Sequence, residues 1–174
     1  MKVIGSRQVW KGHVVSVRVD DVVRADGRRT TRDVVEHPGA VAIVAWDGER
    51  VAMVRQWRHA TGGTLLEIPA GTAEPDEAPG ETARRELAEE VGVAAATWLT
   101  GPQFFTAPGF CTEFMHLFLA TDLSPDEAEG DEDEDLEVAW MTLDEALAAL
   151  DAGQIRDAKS ILAVLWLERH LRAA

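Results

Sequence analysis

A single cysteine, Cys111, leaves this 174-residue chain with no internal disulfide, as expected in a reducing compartment. Basic residues are scarce beside acidic ones, 17 against 31. The formal charge of −14 speaks against a general binder of nucleic acid or anionic membrane. No run of about 18 or more apolar residues occurs, so no membrane span is expected. The opening segment "MKVIGSRQVWKGH" has neither a continuous apolar stretch nor a small-residue cleavage site. No signal peptide is read there, and a cytoplasmic protein is expected. Also missing are a glycine-rich phosphate motif running from strand into helix, paired Cys/His motifs at zinc spacing and a Gly-x-Ser-x-Gly elbow.

What is present suits a soluble globular chain, 46% apolar and 28% charged. Its length allows one domain with a proper core and a small appendage. The acidity is compatible with holding divalent cations, and equally with solubility alone. "VVSVRVDDVV" (14–23) and "TTRDVVEH" (30–37) are β-rich around an Asp-Gly turn signal, which predicts an N-terminal antiparallel hairpin. "AVAIVAW" (40–46) and "RVAMVRQWR" (50–58) flank Asp47-Gly48 and predict a second hairpin with a more buried first strand. "TLLEIPAG" (64–71) reads as one short strand, and Gly80 to Val91 as a helix stopped by Gly92. "FFTAP", "FMHLFLA" (114–120) and "LEVAWM" (136–141) suggest further strands. Residues 143–153 and 157–174 read as amphipathic helices, with Ile161, Val164, Leu165 and Leu167 among the apolar positions. Helices placed late and singly among mixed strands indicate an α+β fold.

The helix of residues 80–91 crowds its acidic side chains. Glu86 and Glu90 are four apart and Glu89 is three beyond Glu86, so the three share one face. Like charges so placed cost about 0.2–0.5 kcal/mol per pair, and they lie toward the C-terminal end, where the macrodipole disfavours anions. A hard divalent cation among them removes both penalties. Ion pairing with Arg84 and Arg85 on a solvated helix is the other reading. Ala83, Leu87 and Val91 form an i, i+4, i+8 stripe able to anchor the opposite side.

Gly71, Glu77, Arg85, Glu86, Leu87, Glu89, Glu90, Gly92 and Val93 fall at every fixed position of a long signature. The segment thereby resembles the Nudix hydrolases. The resemblance implies an α/β/α sandwich around a mixed sheet, with the signature as loop–helix–loop. It also implies hydrolysis of a nucleoside diphosphate linked to another moiety, with Mg²⁺ or Mn²⁺. Carried over, Glu86 and Glu90 are the main metal ligands, joined by Glu89 and the Ala70 carbonyl. Arg85 orients the glutamates, Glu77 braces the helix from outside, and Gly71 allows a tight turn.

"VRQWR" (54–58), "LLEIPAG" (65–71), "FFTAPGFCTE" (104–113), an acidic loop before "LEVAW", and "DAKSILAVLWLERH" resemble the ADP-ribose pyrophosphatase branch. Pro108 stands where that branch carries a marker proline, while Ala107 and Cys111 replace its frequent hydroxyl residues. Arg55 and Arg58 lie three apart on one strand and so point to opposite faces. Arg55 is favoured for the substrate's phosphate or ribose, against a plain surface arginine. Glu67 reads as a metal or ribose contact, or as a buried salt bridge; Glu113 as a terminal-ribose contact, or as a solvated loop carboxylate. The branch places a catalytic glutamate on a mobile loop that aligns at Glu132, with Glu134 the nearest rival; a solvated acidic loop is the alternative.

The function so implied is hydrolysis of ADP-ribose to AMP and ribose 5-phosphate. Alternatives are another substrate, GDP-mannose or a dinucleotide, and an ADP-ribose-binding protein that does not cleave. Residues 1–37 are expected to form a dimerising hairpin region and 38–174 the Nudix domain. The branch implies a homodimer in which the partner's N-terminal strands help hold the adenosine end.

Overall fold

A computed structural model describes residues 1–126 and 136–173. The chain divides into two compact units, residues 1–40 with 104–115, and residues 41–103 with 116–174.

The first unit carries a three-stranded antiparallel sheet in the order β1-β2-β3: β1 (Lys2–Lys11), β2 (Ser16–Val23) and β3 (Arg29–Glu36). The β2–β3 ladder runs in unbroken register from Ser16↔Glu36 to Val23↔Arg29, around the "ADGRR" turn. Strand β1 is an addition to the expected hairpin. Its sequence has no clean alternation, and its pairing with β2 shifts register twice, between Val3 and Gly5 and between Gln8 and Trp10. Polar pairing holds the sheet where apolar packing is thin. Ser6 Oγ donates to Asp20 Oδ1 at 2.6 Å, Arg18 Nε donates to the same oxygen at 3.1 Å, and Arg18 also pairs with Glu36.

The second unit holds the main core. Strands β4 (Ala40–Ala45), β5 (Arg50–Arg58), β6 (Gly63–Glu67), β7 (Ala70–Thr72), β8 (Val93–Phe105), β9 (Phe114–Pro125) and β10 (Leu136–Thr142) form two sheets. Their orders are β10-β5-β6 and β7-β4-β9-β8. Helices α1 (Pro79–Val91), α2 (Leu143–Asp151) and α3 (Ala158–Ala173) complete an α+β architecture. No helix among the described residues is long and apolar enough to cross a membrane.

Three strand expectations need correction. The second hairpin does not form as a ladder. At the Asp47-Gly48 turn only Trp46 and Val51 bridge, after which β4 and β5 enter different sheets. Strand β4 is buried along its whole length, and β5 finds both its neighbours in β10 and β6, so each satisfies its backbone elsewhere. The expected strand 64–71 is broken at Ile68-Pro69, because proline brings no N–H to a ladder. Its halves, β6 and β7, lie in separate sheets. Strand β8 is longer than "FFTAP" suggested, since Ala94, Ala95, Ala96, Gly101 and Pro102 give little β signal.

Helix α1 docks by the stripe its sequence shows. Ala83 and Leu87 are fully buried in a cluster with Val41, Ile43 and Ala45 of β4 and Phe118 and Ala120 of β9, and Val91 packs at its margin. The acidic face adjoins this stripe, and Glu90 at their boundary is itself buried. In α3, Val164 and Leu167 are buried together with Ser160 and Ala163, whereas Leu165 stays exposed.

Candidate active site

The loop between β7 and α1 is folded by its own carboxylates. Glu77 accepts the Glu74 N–H at 3.1 Å and the Thr82 hydroxyl at 2.9 Å. Glu81 reaches back to accept the Ala78 N–H at 3.2 Å, satisfying a donor at the helix start. Pro79 opens the helix, where its missing N–H costs nothing.

Arg85 ties this loop to the acidic face. Its Nε and Nη2 each donate to Glu77, both at 3.0 Å, a two-pronged pairing suited to the planar guanidinium. Nη1 bridges Glu86 at 2.8 Å and Glu89 at 2.9 Å, and Nη2 also donates to the Thr72 carbonyl at 3.3 Å. Three carboxylates thus share one cation. Hydrogen bonding from Arg85, against the opposing effect of burial, pulls the Glu77 carboxyl from its ordinary 4.5 to about 2. The same bond to Glu77 raises Arg85 above its ordinary value.

Glu86 and Glu90 both land on β7. The buried Glu90 accepts the Ala70 N–H at 3.0 Å. One residue on, a Cβ at Gly71 would fall inside the Glu86 carboxyl group. The tight-turn role expected of Gly71 is therefore corrected. Its φ is not in the left-handed region; it is glycine because Glu86 packs against its backbone. The helix spacing of four and this close approach put two carboxylates beside the Ala70–Gly71 peptide. All the donors gathered there are hard oxygens, which fits a divalent cation such as Mg²⁺. No group of three acidic, histidine or cysteine side chains among the described residues is closed into a metal cage; Arg85 and the Ala70 N–H engage these carboxylates.

A second ion network lies at the end of β6. Glu67 is 2% exposed and takes Arg58 Nη2 at 2.7 Å and Lys159 Nζ at 2.6 Å. Burial pushes its carboxyl up, but Arg58 and Lys159 outweigh this and hold it below the ordinary value. Lys159 also bonds Asp157 at 2.9 Å, and Ser160 Oγ accepts the Ile68 N–H at 2.7 Å. Of the two readings of Glu67, the structure shows the buried salt bridge. Arg58 is occupied by it, while Arg55 is exposed on the other face of β5 beside the exposed Trp57.

Pro108 and Glu113 lie in the first unit. Pro108 begins a turn closed by Cys111 N–H donating to the Ala107 carbonyl at 2.9 Å. Glu113 accepts the Thr106 hydroxyl at 2.5 Å. Glu132 and Glu134 fall outside the described residues. Sequence reasoning missed Thr82, Thr106, Asp157 and Lys159. For Lys159 no local signal existed, since its partner Glu67 is 92 residues away.

The NUDIX domain model matches residues 36–164. The chain belongs to the Nudix family. It is 41% identical over 170 residues to an ADP-ribose pyrophosphatase of Bacillus subtilis (strain 168), covering 96% of this chain and 92% of that one. It is 42% identical over 172 residues to a methanol dehydrogenase activator of Bacillus methanolicus, with the same coverage. A solved structure described as an ADP compounds hydrolase superposes with a TM-score of 0.89 at 25% identity, over 99% of this chain and 94% of that one. The chain is a Nudix hydrolase with the Nudix fold, and enzymes of this family generally depend on a divalent metal ion.

Two outcomes follow from this geometry. In this Nudix hydrolase, Gly71→Ala displaces the Glu86 carboxylate; kcat should fall at least about tenfold, with the circular dichroism spectrum unchanged and divalent-ion affinity weakened by calorimetry. The Glu77 contribution to stability is fully present above its unfolded value near 4.5 and is lost as pH falls toward about 2. A melting-temperature series from pH 6 to pH 2 should therefore fall less steeply for Glu77→Gln than for the wild type.

Proposed function

We propose that the enzyme hydrolyses ADP-ribose to AMP and ribose 5-phosphate, with Mg²⁺ or Mn²⁺ as its ion, in the cytoplasm. The observation that carries the reading is the pairing of Glu86 and Glu90 beside the Ala70–Gly71 peptide. The likeness to an ADP-ribose pyrophosphatase over nearly the whole chain supports the substrate.

Glu86, Glu90, Glu89 and the Ala70 carbonyl would hold the ion. Bound there, it supplies positive charge to the diphosphate oxygens and acidifies water. Arg85 keeps Glu86 and Glu89 aligned, which removes the reorganisation otherwise needed on binding. Arg55, exposed on β5, meets phosphate charge or donates to a ribose hydroxyl. Pro108 shapes the loop that presents Glu113 to the terminal ribose. Glu67, enclosed by Arg58 and Lys159, anchors the turn before β7 and is left out of the substrate contacts. Glu132 accepts the proton of the attacking water as the new P–O bond forms and the bridging P–O bond breaks.

With ADP-ribose, GDP-mannose, NADH and Ap4A at fixed Mg²⁺, ADP-ribose should give the highest kcat/KM, with AMP and ribose 5-phosphate resolved by chromatography. Glu132→Gln should lose about 10²–10⁴-fold in kcat with a smaller change in KM. Faster turnover of GDP-mannose refutes the adenosine reading, and an unimpaired Glu132→Gln refutes the base.

We also propose a homodimer built through the N-terminal sheet, with the partner's N-terminal region lending residues to the adenine pocket. Val3, Ile4, Val9 and Trp10 of β1, and Val14 beyond it, are each about half exposed, and isolated small sheets rarely leave such a surface uncovered. Light scattering should return twice the 19.0 kDa chain mass for the wild type, and the chain mass for Val9→Glu/Trp10→Glu. A monomeric wild type at micromolar concentration refutes it.

A further inference from the structure

The segment joining β8 to β9 ends in a carboxylate approached from two sides. Thr106 Oγ1 donates to Glu113 Oε2 at 2.5 Å. Across the carboxylate, His37 Nε2 faces Oε1 at 3.7 Å, a separation that a sub-ångström shift of either side chain turns into a hydrogen bond. The imidazole is fixed in rotation and in tautomer. Its Nδ1 accepts the Gly39 N–H at 3.1 Å, so in the neutral ring the proton sits on Nε2, toward Glu113. Gly39 reaches back in this way at a φ of +107°, a conformation that favours glycine.

The backbone on either side is stitched together. Val35 N–H donates to the Phe110 carbonyl at 2.7 Å and Thr112 N–H to the Val35 carbonyl at 2.9 Å. His37 N–H donates to Thr112 Oγ1 at 2.9 Å. Residues 35–37 and 110–113 therefore form one braced piece within the first unit. The His37 side chain is 11% exposed, whereas that of Glu113 is 27% exposed. The histidine is enclosed, and the carboxylate keeps an open edge.

We propose that His37 is a positioning residue that, with Thr106, fixes the Glu113 carboxylate as an acceptor for the hydroxyls of the sugar beyond the diphosphate. The inference rests on the assignment of Glu113 to the terminal ribose. Each carboxylate oxygen has two acceptor sites. One on each side is taken or faced by the protein, leaving one on each for a pair of neighbouring hydroxyls. A held carboxylate makes those bonds without first losing rotamer freedom, which favours binding over turnover.

Two substitutions of His37 separate positioning from structure. Asparagine keeps an acceptor near the Nδ1 position for the Gly39 N–H but has no donor at Nε2. Glutamine places an amide N–H near Nε2. In the full-length enzyme, His37→Asn should raise KM for ADP-ribose about tenfold, the equivalent of one hydrogen bond, with kcat within about twofold. KM for the methyl ester of ADP, which lacks the sugar, should not move. His37→Gln should restore KM for ADP-ribose to within about threefold of the wild type, and His37→Asn/Glu113→Gln should be no worse than Glu113→Gln alone. Thr106→Val, acting on the same carboxylate from the other side, should show the same split if His37→Asn folds poorly by melting temperature. An equal rise in KM for both substrates, or none for either, overturns the positioning role. A wild-type enzyme that leaves ADP-ribose uncleaved fails differently. It overturns the substrate reading, and the same comparison then applies to whichever sugar nucleotide is cleaved and its methyl ester.

Discussion

The guanidinium of Arg85 is the constraint on which the site is built. Without it, Glu77, Glu86 and Glu89 would be three anions on a loop and one helix face, repelling each other and the helix's own C-terminal dipole. With it, the loop before the helix is fixed to the carboxylate face through the paired bonds to Glu77. A lysine, with one compact charge, cannot span Glu77 on one side and Glu86 and Glu89 on the other. The helix is anchored separately by Ala83 and Leu87 in the core. Charge and packing therefore act on adjoining faces of one element, with the buried Glu90 at the boundary between them.

The Glu67 network has a different character. Its four charges, from Arg58, Glu67, Lys159 and Asp157, join β5, β6 and the segment leading into α3 at the point where the chain turns toward β7. Removing Glu67 leaves Lys159 and Arg58 short of their shared anion, and removing Lys159 leaves the buried Glu67 with Arg58 alone, each a larger loss than the intact network's net contribution. Such a network sets where the turn sits more than how stable the protein is. The turn in turn sets where Ala70 and Gly71 lie under Glu86 and Glu90.

Local pattern made the helix and its face legible from the residues alone. The spacing of Glu86, Glu89 and Glu90 and the adjoining stripe of Ala83, Leu87 and Val91 are set by a 3.6-residue period, and Gly92 marks the stop. The β2–β3 hairpin was equally readable, because its turn and both strands are contiguous. Long-range choices were not. Nothing near Asp47-Gly48 says that β4 and β5 part into two sheets, since that depends on partners such as β9 and β10 that lie far along the chain. Gly71 was marked as special, but its reason, a carboxylate fifteen positions later packing on it, is a fact of tertiary structure. Lys159 carried no local signal of its pairing with Glu67, which lies 92 residues away.

Strand β5 carries two unrelated jobs on its two faces. Val54, Gln56 and Arg58 turn inward, where Arg58 is bound to Glu67, while Arg55 and Trp57 stand in the open on the other side. Because successive residues of a strand point to opposite faces, sequence change at Arg55 or Trp57 leaves the buried ion network untouched. A lineage can thus change that outer surface without first having to find compensating changes inside, and the strand separates the freedom to diversify from the obligation to fold.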